Sequence, residues 1–454
     1  MAKDKISPMG EQKNLMDKIT SLSKRRGFIF PGSEIYGGLA NSYDYGPLGA
    51  ELFRNIENLW WRKIVQRRPD MVGIRGPIIM NSKVWEASGH IKNFTDPLIE
   101  CKICHVRLRE DKPKEIEAHE GSHKGKKVEW TEPKNFNLLF KTFIGTTEDS
   151  KSTVYLRGET AQTMFTDFKL VQESMRRKLP FGIAQVGKSF RNEITTGNSI
   201  FRTKEFTIAE LEYFVKPGED EQAFEDWLSY QQEFFDELGI KKENIRTVEL
   251  PKDELAHYSK RTVDIYYNFP FGWDEIAGLA NRTDYDLKNH IELSGKNLKY
   301  KDEKTGEEFI PYVVEPTFGL DRIMLAVLAD AYSESGARSG KEDAVHEAEV
   351  TLRLSKKIAP VKIAVLPLSK KEELTKLALE IFQDLQDNWM CQYDETASIG
   401  KRYRRQDEIG TPYCVTVDFE SLEDEAVTVR DRDTMKQERI KITDLKTYLL
   451  DKLA

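Results

Sequence analysis

The run Phe190-Arg191-Asn192-Glu193 decides which fold we predict for the middle of the chain. Alternate side chains of an extended chain share a face, so Arg191 and Glu193 point the same way. An arginine binds phosphate through a bidentate fork, and a glutamate accepts from an amino group. A second run, Phe201-Arg202-Thr203-Lys204-Glu205-Phe206, follows after a short loop. A surface ion pair on a hairpin would explain the first run alone, but the second run favours a ligand-binding cleft.

The segments on either side of these runs predict a sheet with helices beside it. The hydrophobic pattern predicts strands at 182–186 and 207–215 and helices at 161–171 and 224–238. Strands and helices come in blocks, without regular β-α-β alternation. This order favours an α+β domain, in which helices flank an antiparallel sheet, over a Rossmann fold.

A third run, Glu315-Pro316-Thr317-Phe318-Gly319-Leu320-Asp321-Arg322, leads into a helix predicted from the spacing of Ile323, Val327 and Leu328. Gly319 permits a tight turn. Arg322 falls in the first turn of that helix, where the helix dipole and the side chain both favour phosphate. An ordinary charge at a helix N-terminus is the alternative, but it accounts poorly for three such runs in one chain.

Length and pattern predict two domains in the 454 residues. Residues 1–350 form the first, interrupted by a charged, apolar-poor insertion at about 100–135. Residues 355–454 show strand, helix and strand with short loops, which predicts a small α/β domain.

Composition predicts a soluble cytoplasmic protein. The chain has no stretch near the roughly 20 apolar residues that span a bilayer, and its four cysteines suggest no disulfide framework. The formal net charge of −7 argues weakly against a nucleic-acid partner. Basic clusters matter more, and Lys401-Arg402 with Arg404-Arg405 is one that phosphates would contact. Tyr403 and Tyr413 are candidates to stack on bases, although a solvated face would also explain the cluster.

The insertion holds a candidate metal site. Cys101-x2-Cys104 followed by His119-x3-His123 has a spacing compatible with tetrahedral zinc. The alternative is a loop with two buried thiols and exposed imidazoles.

The first two runs resemble the second signature motif of class II aminoacyl-tRNA synthetases, and the third run resembles the third motif. The resemblance implies that ATP is bound with Mg²⁺. By this resemblance Arg191 and Arg322 are the catalytic residues: Arg191 contacts the α-phosphate, Arg202 the terminal phosphates, and Glu193 and Phe206 the adenine. The full implied ATP set is Arg191, Asn192, Glu193, Phe201, Arg202, Phe206, Glu275, Ile276, Gly319, Leu320, Asp321 and Arg322.

Flanking segments resemble the glycyl-tRNA synthetases, in their homodimeric form. They include Ser33-Glu34-Ile35-Tyr36-Gly37-Gly38, Ser88-Gly89-His90 and the segment Gly278 to Asp284. The segment Gly46-Pro47-Leu48-Gly49 and the Trp60-Trp61 helix resemble the first class II motif. In this class that motif forms the dimer interface. Related synthetases often carry a four-cysteine zinc ribbon at the insertion.

A glycine zwitterion offers only an ammonium and a carboxylate, so carboxylates and arginines are complementary to it. Glu210 and Glu212 share one strand face. With the resemblance, the glycine-binding set is Arg109, Glu159, Phe206, Glu210, Glu212, Arg282, Glu315 and Thr317. The chain departs from the family at Thr317, where serine is usual, and at Gly158, where proline is usual.

The implied activity is joining of glycine to the 3′ end of tRNA(Gly), with residues 355–454 binding the anticodon stem-loop. One alternative is a non-catalytic, synthetase-like nucleic-acid-binding factor. Such relatives lose the ATP motifs, which are present here. Another is a class II synthetase for serine, threonine or proline, which the crowded carboxylates disfavour.

Overall fold

The computed structural model describes residues 8–149, 151–194, 197–335 and 349–453. The helices within these ranges are α1 (Pro8–Arg26), α2 (Pro47–Trp61), α3 (Ser82–Ala87), α4 (His90–Asn93), α5 (Pro113–Ser122), α6 (Ala161–Thr166), α7 (Phe168–Ser174), α8 (Asp220–Leu238), α9 (Tyr285–Ser294), α10 (Leu320–Ala331), α11 (Glu372–Gln386), α12 (Ile399–Ile409), α13 (Ser421–Asp424) and α14 (Ile442–Leu453). A π-helical turn, Arg62–Gln66, extends α2.

The strands before the C-terminal region are β1 (Ile29–Pro31), β2 (Tyr43–Tyr45), β3 (Met71–Gly73), β4 (Thr95–Glu100), β5 (Arg107–Arg109), β6 (Lys134–Asn137), β7 (Lys141–Phe143), β8 (Thr153–Tyr155), β9 (Phe181–Phe190), β10 (Glu205–Val215), β11 (Ile245–Glu249), β12 (Arg261–Phe269), β13 (Gly272–Thr283), β14 (Tyr300–Lys301), β15 (Glu308–Phe309), β16 (Tyr312–Gly319), β17 (Tyr332–Ser335) and β18 (Glu349–Leu352). The C-terminal strands are β19 (Ile363–Pro367), β20 (Cys391–Tyr393), β21 (Tyr413–Val417), β22 (Ala426–Asp431) and β23 (Gln437–Lys441).

In the described part of the chain, the largest sheet has the order β11-β12-β13-β16-β10-β9-β3. Neighbouring strands are antiparallel except β3, which is parallel to β9. The α+β prediction, with an antiparallel sheet and flanking helices, is confirmed. The helix predicted at 161–171 is divided into α6 and α7, because the backbone at Asp167 (φ −96°, ψ 0°) leaves the helical region.

The side chains of strand β10 alternate between the two faces of the large sheet, and both faces are buried. Ala209, Leu211 and Tyr213 point into a core that includes side chains of α2, α8 and α10. On the opposite face, Phe214 packs with Phe165 and other side chains of α6 and α7. Residues two apart share a face, so Glu210 and Glu212 lie on the face of Phe214. Burial of both faces makes the sheet a rigid platform for these carboxylates.

The insertion has a small fold of its own, a sheet of order β5-β4-β6 with α5 beside it. The C-terminal sheet has the order β20-β19-β21-β22-β23, parallel over its first three strands and antiparallel beyond. Helices α11 and α14 cover it, with Leu374 and Leu449 in the core. This agrees with the α/β prediction. The boundary at about 350–355 stays a proposal, because Leu352, Leu354 and Val361 belong to the larger core.

No helix among the residues described is long and apolar enough to cross a membrane.

Candidate active site

A pocket opens on the large sheet where the three sequence runs meet. It is lined by Arg191, Glu193, Phe201, Arg202, Phe206, Glu275, Ile276, Thr317, Gly319, Asp321 and Arg322, together with Ile200, Thr203, Thr207, Ile208 and Ala277. Sheet pairing brings these segments together, because β10 pairs with both β9 and β16. The structure therefore places most of the predicted ATP-binding residues around one cavity.

Arg191 lies between two aromatic rings. Its guanidinium carbon is 5.1 Å from the ring centre of Phe94 and 5.3 Å from that of Phe206. Its Nε also donates to the Gly158 carbonyl oxygen at 3.3 Å. Cation–π contacts hold an arginine in place while its remaining N–H groups stay available. Arg191 is thus oriented and can still bind an anion.

Arg322 is held in a similar way at the start of α10. Its Nη1 donates to the backbone oxygen of Glu275 at 2.9 Å and to Oε2 of Glu275 at 3.1 Å. Its Nε donates to the backbone oxygen of Phe201 at 3.2 Å, and the ring centre of Phe201 is 4.4 Å away. These contacts join the second and third runs in one pocket.

Three of the predicted ATP-site residues, Asp321, Leu320 and Asn192, make contacts within the protein. Asp321 is buried, and its carboxylate accepts hydrogen bonds from the Tyr45 hydroxyl and from the Thr207 N–H (2.6 Å). The Leu320 side chain lies in the hydrophobic core. Asn192 is outside the pocket lining, and its N–H donates to the Leu138 carbonyl oxygen at 2.8 Å. Asp321 therefore ties α10 to β10.

The sequence reasoning missed Asp264 on β12. Its neighbours Val263 and Ile265 are in the core, so Asp264 points to the face that carries the site. Burial and the nearby carboxylate of Glu275 raise the pKa of Asp264 to about 7, although Arg322 lowers it. The alternating pattern of β12 contained this information, but only the sheet order shows that β12 borders β13.

A buried carboxylate niche lies next to this pocket on the same sheet face. Its centre is Arg282, whose Nη1 donates to both oxygens of Glu315 at 2.8 and 2.9 Å. Its Nε and Nη2 donate to Asp286 at 2.7 and 2.9 Å. The guanidinium also stacks on Tyr258, 3.8 Å from the ring centre. The structure thus places Arg282 beside Glu315, and it adds Asp286 and Tyr258 to the niche.

Glu159 and Glu210 complete the niche, and each is oriented by neighbouring groups. Glu159 is 3.2 Å from His90 Nε2 and accepts from Gln162 at 2.8 Å. Burial raises the pKa of Glu159, but His90 and Arg282 outweigh burial and hold it well below its usual range. Oε2 of Glu210 accepts from the Thr160 N–H at 2.6 Å and from the Thr160 hydroxyl at 2.5 Å.

Glu212 is buried beside this niche, two residues after Glu210 on the same face of β10. Arg109, by contrast, is outside the niche: its guanidinium pairs with Asp96 at 3.0 Å and with Asp111 at 2.6 Å. The charge of Glu193 contributes to raising the pKa of both Asp96 and Arg109. Arg109 therefore lies nearer the predicted adenine end of the nucleotide pocket.

The insertion brings its candidate ligands together. The Cys101, Cys104, His119 and His123 ligand atoms all lie within 4.8 Å of one another. Cys101 is buried and Cys104 exposed, so the alternative of two buried thiols is wrong.

Two predictions for the C-terminal domain are corrected. Arg402 is only 2% exposed, and its guanidinium donates to the carbonyl oxygens of Pro367, Leu368 and Asp394. Tyr413 is 1% exposed. Helical spacing turns Arg402 inward from its neighbour Lys401, and Tyr413 lies in the core of the C-terminal sheet. Neither side chain therefore presents a surface to RNA.

Comparison with known proteins identifies the two domains and the fold. The model of the tRNA synthetase class II core domain (G, H, P, S and T) matches residues 142–331, and that of the anticodon-binding domain matches residues 362–452. A solved structure of prolyl-tRNA synthetase from Cryptosporidium parvum, complexed with halofuginone and AMPPNP, superposes with a TM-score of 0.65 at 16% identity, covering 98% of this chain and 78% of that one. The matched domains and the fold define a class II aminoacyl-tRNA synthetase.

The curated relatives narrow this class. Glycine–tRNA ligase of Caldanaerobacter subterraneus subsp. tengcongensis is 53% identical, covering 96% of this chain and 98% of its own. The Streptomyces coelicolor enzyme is 51% identical, with 100% and 99% covered, and that of Thermobifida fusca is 50% identical, with 98% and 100% covered. The chain belongs to the glycine–tRNA ligase family.

Proposed function

We propose that the nucleotide pocket and the carboxylate niche hold ATP and glycine end to end, and that the protein uses them to charge tRNA(Gly) with glycine. One observation carries the proposal: Arg191 and Arg322, from distant parts of the chain, line a single pocket that adjoins buried Glu210 and Glu315. A phosphate and an ammonium are the groups these two neighbouring surfaces complement.

At the nucleotide end, Arg191 binds the α-phosphate, while Arg202 and Arg322 bind the terminal phosphates. Phe206 stacks on the adenine, and Glu193 accepts from its amino group. The carboxylates of Glu275 and Asp264 fit Mg²⁺, which prefers oxygen ligands. When bound there, Mg²⁺ supplies charge neutralisation on the phosphate oxygens.

At the amino-acid end, Glu159, Glu210 and Glu315 accept hydrogen bonds from the glycine ammonium. Arg282 keeps Glu315 in place through two hydrogen bonds, and Thr317 lines the passage between niche and nucleotide. A niche filled by buried side chains excludes larger substrates sterically, which is more effective than rejecting a missing methylene.

The chemistry needs no protein nucleophile. The glycine carboxylate oxygen attacks the α-phosphorus of ATP, the bond to the bridging oxygen breaks, and pyrophosphate leaves. The tRNA 3′-terminal hydroxyl then attacks the glycyl carbonyl carbon and AMP leaves. Arg191 and Arg322 stabilise the negative charge that develops at the phosphates and hold the reactants in line.

Isotopic ATP–pyrophosphate exchange tests this proposal. We expect exchange with glycine and none with serine, threonine, proline or alanine. Exchange driven equally by alanine or serine would contradict the role of the niche. An absence of exchange with every amino acid would support the non-catalytic binding factor instead.

We propose that the C-terminal domain contacts the anticodon stem-loop through the exposed side of α12. Lys401 is exposed there, and Arg404 is exposed and pairs with Glu349 at 2.6 Å. Charge reversal at Lys401 should raise the KM for tRNA several-fold and leave glycine-dependent exchange unchanged. An unchanged KM for tRNA would remove Lys401 from the contact.

We propose that the protein acts as a homodimer in the cytoplasm, with a second copy of the chain covering the loop after β1. Ile35 and Tyr36 are 88% and 87% exposed, and Leu39 is also exposed. Exposed apolar groups this close together mark an interface. Sedimentation of I35E/Y36E should show monomers, whereas L170E, which changes another exposed leucine, should stay dimeric. A dimeric I35E/Y36E protein would contradict this assignment.

We propose that the insertion binds zinc. Tetrahedral Zn²⁺ with two thiolates and two imidazoles sets its ligand atoms about 3.3–3.8 Å apart. Cys104 Sγ lies 3.4 and 3.6 Å from the Nε2 atoms of His119 and His123, and Cys101 Sγ lies 3.7 Å from His123 Nε2. Burial raises the pKa of Cys101, but hydrogen bonds from His119 and from backbone N–H groups outweigh it and bring the pKa to about 6. Thiolates are the form that binds metal.

Metal analysis of Cys101→Ser tests the zinc proposal. Wild-type protein should carry about one zinc per chain and the variant close to none. Cys391→Ser, which changes a cysteine of the C-terminal sheet, is the matched control and should keep its zinc. Equal zinc in Cys101→Ser and wild type would remove the site.

A further inference from the structure

A buried amide, that of Gln162, joins two carboxylates of the niche. Gln162 is 0% exposed and lies in the first turn of α6, shortly after Glu159 in the chain. Its Nε2 donates to Oε1 of Glu159 at 2.8 Å and to Oδ1 of Asp286 at 3.0 Å. One NH2 group therefore uses its two hydrogens on two different buried carboxylates.

The opposite end of the same amide is also bound. Oε1 of Gln162 lies 2.9 Å from Nε2 of His290, which is 6% exposed. An amide oxygen only accepts, so Nε2 of His290 carries a hydrogen and donates it. Asp286 and His290 are one helical turn apart on α9 and lie on one face of that helix. Helix α9 therefore offers an acceptor and a donor to the two ends of one amide.

These partners leave the amide a single orientation. If its nitrogen and oxygen exchanged places, the amide oxygen would face two carboxylates, with no hydrogen between the oxygens. Buried acceptors that lose their donors in this way are costly. The two helices are themselves held in place, because Met164 and Phe165 of α6 and Leu287 of α9 are buried in one apolar cluster. The amide is thus fixed before any ligand arrives.

Glu159 is held at both of its oxygens. Oε1 accepts from Gln162, and Oε2 lies 3.2 Å from Nε2 of His90. Burial raises the pKa of Glu159, but His90, Arg282 and the hydrogen bond from Gln162 outweigh burial and hold this pKa well below its usual range. The carboxylate is therefore ionised, and it has about four acceptor sites, so sites remain for an ammonium.

Asp286 carries the same network to the other side of the niche. It accepts from Nε and Nη2 of Arg282, at 2.7 and 2.9 Å, and Nη1 of Arg282 donates to Glu315. An unbroken series of contacts thus runs from Glu159 through Gln162, Asp286 and Arg282 to Glu315. Gln162 is its neutral member, and its two N–H groups let two carboxylates approach the same nitrogen.

We propose that Gln162 is a positioning residue for glycine: its amide, bound at both ends by α9, fixes the carboxylate of Glu159 in the orientation in which it accepts the glycine ammonium. The inference rests on the proposed role of Glu159. Glycine has no side chain whose contacts could compensate for a displaced carboxylate, so binding depends on this orientation. Gln162 is outside the lining of the nucleotide pocket that the described residues form, so ATP binding does not depend on it.

Gln162→Met removes the amide with little change of shape. Methionine is unbranched like glutamine, but it has no N–H donor. Loss of a hydrogen bond to a charged group has effects of about ten- to hundredfold, so the KM for glycine in ATP–pyrophosphate exchange should rise at least about tenfold. The KM for ATP should stay unchanged. An unchanged KM for glycine would overturn the proposal.

Gln231→Met is the matched control, because it makes the same change at a second glutamine that is 0% exposed. Gln231 lies on α8, and its Nε2 donates to the neutral carbonyl oxygen of Gly278 at 2.9 Å. The KM for glycine should stay at the wild-type value in this variant. Urea unfolding of both variants measures the structural cost. A loss of stability in Gln162→Met with a normal KM for glycine would show that the amide only holds the fold together.

Two variants of His290 test the fixed amide even if Gln162→Met fails to fold. Glutamine in His290→Gln places an amide nitrogen near the position of the histidine Nε2 and can donate in its place. Asparagine in His290→Asn is one methylene shorter and places its nitrogen near the position of Nδ1. The KM for glycine should stay near wild type in His290→Gln and rise several-fold in His290→Asn. Equal values in wild type and His290→Asn would contradict the proposal.

Glu159→Gln tests the role of Glu159 itself. Its KM for glycine should rise at least as much as that of Gln162→Met, because the charge that attracts the ammonium is removed. If Glu159→Gln raised the KM for glycine and Gln162→Met did not, the inference about Gln162 alone would fall. If neither variant changed this KM, the proposed glycine site would fall together with it.

Discussion

The nucleotide pocket and the carboxylate niche lie side by side on one sheet but hold their charges differently. Arg322 is part-exposed, with contacts to Glu275 and Phe201 that leave donors available. Arg282 in the niche is buried, and its donors are engaged by Glu315 and Asp286.

In the proposed function, the two substrates explain why the arginines of the pocket and the niche differ in exposure. ATP brings several negative charges and must exchange pyrophosphate with solvent, so its arginines need to stay accessible. Glycine has no side chain to recognise, so in the proposed function its selectivity comes from a rigid niche whose space is already filled by buried side chains. Rigidity requires that each buried charge is fixed by neighbours before the substrate arrives.

The largest expected effect is on catalysis, and it follows a change in the nucleotide pocket. Arg322→Ala removes a cation from the phosphates, and glycine-dependent exchange should fall by about 10³–10⁵-fold in kcat/KM for ATP, or about 4–7 kcal/mol. Arg67→Ala, which changes a surface arginine 3.5 Å from Glu237, is the control and should exchange normally. Activity of Arg322→Ala within tenfold of wild type would show that the pocket does not bind the phosphates.

In the carboxylate niche, removal of Arg282 should reduce the stability of the fold. Arg282→Ala leaves Glu315 and Asp286 buried without a cation, which should lower the free energy of unfolding by about 3–5 kcal/mol in urea titrations. The loss should shrink as pH falls: Arg282 lowers the pKa of Glu315, so without Arg282 that pKa rises further and the folded state binds more protons than the unfolded state. Arg261→Ala, a part-exposed arginine with several glutamate partners, should cost about 1 kcal/mol or less. Equal losses in the two variants would remove the contrast between the regions.

A smaller effect separates the adenine from the glycine. Phe206→Leu keeps an apolar side chain but removes the ring that contacts Arg191 and that we propose to stack on adenine. The KM for ATP should rise about tenfold, corresponding to 1–1.5 kcal/mol of aromatic stacking, and the KM for glycine should change little. Phe143→Leu, at an exposed phenylalanine, serves as the control. A larger change for glycine than for ATP would place Phe206 in the niche instead.

The smallest effect is expected where the two regions meet. Thr317→Ser removes one methyl group, worth about 0.8 kcal/mol of contact, and restores the residue usual in the family. The KM for glycine should fall by no more than about threefold, because the hydroxyl is retained. Thr351→Ser, at a buried threonine of β18, controls for stability. A tenfold rise in the KM for glycine would mean that the threonine methyl helps to shape the niche.

The sequence predicted the residues that line the nucleotide pocket better than those that form the carboxylate niche. Arg191, Glu193, Arg202 and Phe206 lie within one short hairpin, so alternation and loop length nearly fix their arrangement. Asp264 was missed because it reaches the site only through the pairing of β12 with β13. Arg402 was misplaced because a basic cluster on a helix does not reveal which member turns inward.

By itself the sequence determined the kind of chemistry: the local runs supply arginines for phosphate and carboxylates for an ammonium, and apolar periodicity specifies the α+β and α/β regions. Only the tertiary structure decided which charges are neighbours. Glu212 faces Glu315, and Arg282 joins Glu315 to Asp286, because strand register and sheet order bring together residues that are far apart in the chain. The interaction between charges depends on distance and burial, and packing of the whole sheet sets both.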